Sequence, residues 1–259
     1  MLLGHDDDLA AEATRTSNRI RGLLTSIHPH LERVLGPRVS HPAVLSLLIE
    51  LCGPAGIRAA GVEHVTELLR RKAPRMAERL AVEIFTALEE QTVVVPGTDA
   101  AAVVLPGLAS SLRSILDQRK HLGAEIEHLL EAHPLSAVLI SMPGIGIRTG
   151  ARILAEIGDA TAFPSAAHLA AYAGLAPVMR RSGTSIKGET PAIRGNRPLK
   201  RALFLSAFAS LAHPPSRAYY DRKISEGKRH NQALLCLARR RCDVLYAVIK
   251  NGTLYQIPA

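Results

Sequence analysis

The sequence predicts an all-α protein, and three observations carry that prediction. Its apolar content is mostly Ala, Leu and Ile, with only 3% aromatic residues and no Trp, a supply that suits packed helices better than strands. Apolar residues recur three and four apart along most of the chain, which is the helical period. Pro and Gly fall where such runs start and stop. With 259 residues, 47% of them hydrophobic, the chain is long enough for two domains, or one large one, around a buried core.

Leu9, Ile20, Leu23, Leu24, Ile27 and Leu31 predict one helix over 9–35, closed at Gly36-Pro37. Asp6, Asp7 and Asp8 precede it as an acidic run suited to a helix N-terminus. "HPAVLSLLIELCG" (41–53) is a short apolar helix with Pro at its start and Gly at its end. "GVEHVTELLRRKA" and "PRMAERLAVEIFTALEEQ" give two amphipathic helices broken at Pro74, and "VVVPGTD" (93–99) is a connection or at most a brief strand. Leu108, Leu112, Ile115, Arg119, Leu122, Ile126 and Leu129 then alternate four and three apart, a heptad seam interrupted by one charge at Arg119. Two readings of this seam stay open: a coiled-coil arm over 105–133 that dimerises or spaces two domains, or the buried stripe of a bundle helix. The expected organisation is a helical region at 1–104, the arm at 105–133 and a basic helical domain at 134–259.

Charge separates the halves. Residues 134–259 hold 18 Lys and Arg against 6 Asp and Glu, whereas residues 1–133 hold 14 against 17. A basic half joined to a near-neutral one is the footprint of a polyanion-binding module on a scaffold. No uncharged apolar run is long enough to span a bilayer, and the acidic start "MLLGHDDDLAAEA" is no signal peptide. Cys52, Cys236 and Cys242 are an odd number without framework spacing, which indicates a reducing cytoplasm; Cys236 and Cys242 make a poor zinc site and read as helix packing residues, and no metal site is expected in this chain.

Within the basic half, "LISMPGIGIRTGARILAEIG" (139–158) is the most specific local pattern. A helix end runs into Pro143-Gly144-Ile145-Gly146, and a second helix starts near Arg148-Thr149. Glycines permit positive φ and close backbone approach, and free amides at the next helix start favour an anionic oxygen. This looks like the turn of helix-hairpin-helix proteins, with Pro143, Gly144, Gly146, Arg148 and Thr149 as candidate phosphate contacts; the plainer reading is a tight turn whose glycines serve geometry alone. "FPSAAHLAAYAGLAP" (163–177) is a small-residue helix leading to "VMRRSGTSIKG", read as a loop that sets Ser182-Gly183 between Arg180-Arg181 and Lys187. Arg194, Asn196 and Arg197 form a basic turn, and Lys200 and Arg201 oppose the dipole at the start of the next helix, which makes them more plausible phosphate ligands than helix stabilisers. Residues 216–252 give two final helices split at Gly227-Lys228 and capped at Asn251-Gly252. Arg239, Arg240 and Arg241 read as one more solvated face.

Taken in order, "MPGIG", "LAEIGD", "LAAYAGLAP", "RSGT" and "RGNRPLKRALFLSA" resemble the C-terminal domain of the IS-one-ten type of insertion-sequence transposases, relatives of the pilin-gene-inverting recombinases, over about 135–252. The resemblance implies DNA transposition or site-specific DNA recombination. It makes Ser182 the nucleophile on a DNA phosphate, held afterwards as a phosphoserine linkage, with Arg180, Arg181 and Lys187 steadying charge. It also implies DNA and a structured guide RNA as partners, and a homo-oligomer formed through the coiled coil. The family's metal-binding carboxylates belong to a domain that precedes the segment with which this chain starts. Mg2+ is therefore expected only if that domain is supplied, and the chain is expected to be a truncated transposase, one with a start assigned late, or a subunit completed in trans. The alternatives are a non-catalytic DNA-binding remnant gripping phosphates through the 143–146 turn and the 194–201 patch, and an RNA- or partner-binding coiled-coil protein whose serine is idle.

Overall fold

The computed structural model describes residues 1–91, 93–176 and 194–256, together with the backbone of 178–182 and 186–190. Its helices in chain order are α1 (Leu2–Ile27), α2 (Pro29–Leu35), α3 (Pro42–Leu51), α4 (Pro54–Arg70), α5 (Ala77–Glu90), α6 (Thr98–Glu131), α7 (Ser136–Ile140), α8 (Ile147–Ile157), α9 (Ala166–Tyr172), α10 (Arg197–Ala209), α11 (Pro214–Ser225) and α12 (His230–Asn251). The all-α architecture therefore holds, with one addition. Val178–Ser182 (β1) and Ile186–Thr190 (β2) pair as a two-stranded antiparallel hairpin where the sequence predicts a loop. The chain forms two compact units, Met1–Leu122 and Gly123–Ala259, and the division falls inside α6.

In the N-terminal unit, the helix predicted over 9–35 begins earlier and breaks at His28. Pro29 lacks an N–H and takes the first position of α2, where a missing donor costs nothing. The His28 Nδ1 accepts the Leu31 backbone N–H at 3.1 Å and so caps α2. Leu9, Ala13, Ile20, Leu24 and Ile27 turn the apolar stripe of α1 inward. Asp6, whose side chain is nearly buried, bonds the Arg119 guanidinium at 3.0 Å. At the other end of α1, the Gln91 side chain donates to the Ile27 carbonyl at 2.9 Å, tying the end of α5 to the end of α1. Arg119, the charged interruption of the seam, is thus matched by a carboxylate within its own unit. Along α6 Leu112, Ile115, Leu122 and Ile126 are buried as expected, but Leu129 is 57% exposed and Leu130 takes its place, because a 3.6-residue turn drifts off a strict 3.5 repeat.

By length and composition α6 is also apolar enough to cross a membrane, with an 18-residue window of mean hydropathy 1.3, which the search for uncharged runs did not anticipate. Core helices pass the same test, and α6 buries Ala101, Leu105, Ala109, Leu112 and Ile115.

Buried His28 has its imidazole pKa lowered from 6.5, first by desolvation and then by the nearby Arg58 charge. The unfolded chain therefore takes up a proton more readily than the folded one. The stability contribution is complete above the ordinary histidine value and is lost as pH falls through the lower folded value. Protonation would also convert the capping acceptor into a donor. In thermal unfolding between about pH 7.5 and about pH 5, His28→Asn, which keeps an acceptor but does not titrate, is expected to lose less stability than the parent, by about 1 kcal/mol. Parallel curves for the two proteins would refute the assignment.

The C-terminal unit is built on α8, α9, α10 and α12. Ile153, Ile157, Leu169, Leu199, Leu203, Leu237, Leu245 and Ile249 meet in its core. Cys242 is buried there, and burial pushes its thiol up to about 12, consistent with a packing role. The final helix ends as the sequence predicts, at Gly252 in the left-handed region.

Candidate nucleic-acid interface

The β-hairpin leaves and re-enters the C-terminal unit at a crossing of two glycines. Gly174 (φ +69°) ends the α9 segment and Gly195 (φ +126°) precedes α10. A Cβ on Gly195 would lie 2.7 Å from both the Cα and N of Gly174, and one on Gly174 would lie 2.7 Å from the Arg194 carbonyl oxygen. Only glycine permits both this approach and these dihedrals.

Asn196 locks the crossing. Its backbone N–H donates to the Tyr172 carbonyl at 2.7 Å. Its side-chain amide donates to Glu156 at 2.7 Å and to the Tyr172 hydroxyl at 2.9 Å, and its Oδ1 accepts from the Leu199 N–H at 2.8 Å, capping α10. The sequence nominates Asn196 as a DNA contact; the geometry gives its side chain a bracing role at the root of the hairpin.

The hairpin register pairs Arg181 with Lys187, Arg180 with Gly188, and Ser182 with Ile186. Ser182 is the last residue of β1. Gly183 lies outside the described residues.

The 143–146 turn joins α7 to α8, as the sequence reading expects of its glycines. Gly144 has φ +78°, and an added Cβ would fall 2.5 Å from the Ser206 carbonyl oxygen and 2.6 Å from the Ser210 nitrogen. Gly144 therefore serves close packing onto the C-terminal end of α10. Gly146, by contrast, is exposed at the N-cap of α8, with nothing within 4 Å of an added Cβ. Its surroundings and the amides that follow are open to an anion. Arg148 is exposed and Thr149 half-buried.

Behind the turn lies a residue that sequence reading misassigned. Arg241 is not on a solvated face: it is 7% exposed, donates to the Pro143 carbonyl oxygen and reaches the Ser206 hydroxyl at 2.8 Å. Desolvation lowers its pKa to about 10, so it stays charged at neutral pH as a buried cation beneath the turn. The missed signal was its spacing, four residues from both Leu237 and Leu245 on the buried stripe of α12.

Arg194, Arg197 and Arg201 are exposed, and Lys200 is half-buried. They sit at the N-terminal end of α10, next to the hairpin root, while Gly144 packs at its other end. Thirteen residues of helix separate the two ends by about 20 Å. The two sets of nominated phosphate ligands therefore occupy opposite ends of one helix. Among the described residues no group of three His, Cys, Asp or Glu stands together as a metal site.

The C-terminal unit is thus helical, with one two-stranded hairpin rooted at the Gly174–Gly195 crossing. Residues 136–221 of this unit match the Transposase IS116/IS110/IS902 family. Across 257 residues, 99% of the chain, it is 61% identical to a 43.6 kDa protein of insertion element IS110 from Streptomyces coelicolor. It is 38% identical over 257 residues to a 42 kDa protein of insertion element IS900 from Mycobacterium paratuberculosis. The chain spans 64% of the length of each of these two relatives. Over 149 residues, 55% of the chain and 46% of the relative, it is 34% identical to the pilin gene-inverting protein of Moraxella bovis.

Proposed function

We propose that the C-terminal unit binds DNA and supplies Ser182 as the nucleophile of a DNA transposition or recombination reaction. The observation that carries this reading is the braced hairpin: a serine ends β1 one step beyond an Arg181–Lys187 pair, on a frame fixed by the Gly174–Gly195 crossing. Similarity to insertion-element and pilin gene-inverting proteins supports it.

In the proposed step the Ser182 hydroxyl loses its proton to a base and attacks a backbone phosphorus. The phosphorus–oxygen bond to one flanking deoxyribose breaks, and that sugar leaves as a hydroxyl. The other strand end remains on the serine as a phosphodiester, so bond energy is conserved for rejoining. An ordinary serine requires activation, and the resemblance assigns this to carboxylates and Mg2+ outside this chain. Arg180, Arg181 and Lys187 stabilise charge building on the phosphate. A structured guide RNA and assembly through α6 belong to the same proposal.

The DNA-binding half is tested by titrating a duplex at rising salt. With about five phosphates neutralised, affinity is expected to fall roughly 500-fold between about 50 and about 200 mM salt. Arg197→Glu with Arg201→Glu is expected to weaken binding across sequences and flatten the salt slope by about two. Salt-independent binding, or a slope unmoved by the double variant, would contradict the reading.

A further inference from the structure

We propose a second nucleic-acid contact on the C-terminal unit: a stacking platform for unpaired nucleotides made by Phe208, His230 and Tyr220. It rests on the reading above that this unit binds nucleic acid.

Phe208, on α10, is 54% exposed although it is a large apolar side chain. Its ring meets that of His230 edge-on, with centroids 6.4 Å apart and planes at 89°. His230 opens α12 and packs at 5.7 Å and 75° against Tyr220 of α11, whose hydroxyl bonds its Nδ1 at 2.6 Å. The Arg217 guanidinium lies 5.8 Å from the centre of the Tyr220 ring. Three helices thus fix the orientation of one aromatic row at the surface.

The charge around the row identifies its occupant. Residues 214–230 carry Arg217, Arg222, Lys223, Lys228 and Arg229 against only Asp221 and Glu226. Cations alone would serve a duplex, which offers phosphates and keeps its base faces stacked inside. Cations beside exposed ring faces suit a strand whose bases are unstacked, since each base presents a π face and each linkage a phosphate. Phe208 stands twelve residues along α10 from Asn196, about 18 Å from the hairpin root.

Phe208→Ala, compared with the parent 259-residue chain, tests the proposal by fluorescence anisotropy with an oligo-dT strand and with a blunt duplex. The expected result is about tenfold weaker binding of oligo-dT, with duplex affinity unchanged within twofold and with stacking restored in Phe208→Trp. Circular dichroism and thermal unfolding check that the exposed substitution leaves the fold intact. Equal affinity of parent and Phe208→Ala for oligo-dT would overturn the platform, and so would a loss that falls equally on both probes. A parent that binds duplex but not oligo-dT would overturn the platform while leaving the DNA-binding reading standing. A parent that binds neither would overturn both.

Discussion

Ser182→Ala is expected to abolish covalent capture of DNA, while salt-sensitive duplex binding persists. The two readouts separate because they draw on different groups. Affinity comes from several cations releasing counterions, among which one hydroxyl counts for little. Strand capture needs an oxygen on phosphorus, and alanine provides none. The chain spans 64% of the length of its insertion-element relatives, so the assay uses protein of that full length supplied with Mg2+, in which the proposed activation of the serine can occur. Under those conditions the adduct is expected to fall by at least about a thousandfold, the scale seen when a nucleophile is removed from an enzyme. An adduct that persists in Ser182→Ala would remove Ser182 from the chemistry and leave the unit as a DNA binder.

Gly195→Ala is expected to be strongly destabilising. The residue has φ +126°, and the new Cβ would meet the Gly174 backbone at 2.7 Å. Backbone atoms cannot swing aside as a flexible side chain can. Dihedral strain and overpacking together put the cost at about 3 kcal/mol or more, a large share of the stability of an ordinary domain. Gly227→Ala provides the control, because Gly227 has φ +82° but nothing within 4 Å of an added Cβ; it should cost about 1 kcal/mol. Denaturant unfolding of the two variants distinguishes them. Equal losses would mean that the glycine crossing does not brace the hairpin. If the account holds, Gly195→Ala also loses strand capture even at temperatures where the rest of the C-terminal unit remains folded.

What the sequence made legible follows the range of the interactions involved. The last helix and its Gly252 cap were readable because periodicity and a terminal glycine are local signals. The α7–turn–α8 segment was readable for the same reason, although the role of Gly144 was not: its close approach is to Ser206 and Ser210, more than sixty residues away. The β-hairpin was invisible because "VMRRS" and "IKGET" lack an apolar alternation that would mark a strand. Its register follows from a crossing between residues 174 and 195, which no local window contains.

Arg241 was misjudged for the opposite reason. Its neighbours Arg239 and Arg240 suggested a charged surface, whereas its position on the α12 stripe pointed inward. Likewise Arg119 looked like a defect in a heptad until Asp6 appeared opposite it. The sequence nominated the candidate residues, but their division between the two ends of α10 and the bracing role of Asn196 depend on contacts far apart in the chain.

The most direct test of the central claim is to trap the protein–DNA complex, digest it with trypsin and nuclease, and locate the residual nucleotide by mass spectrometry. Cleavage after Arg181 and Lys187 releases the peptide Ser182–Lys187, "SGTSIK", which holds three hydroxyl groups. Fragmentation is expected to place the phosphoester on Ser182. A nucleotide on Thr184 or Ser185, or on any other peptide, would contradict it.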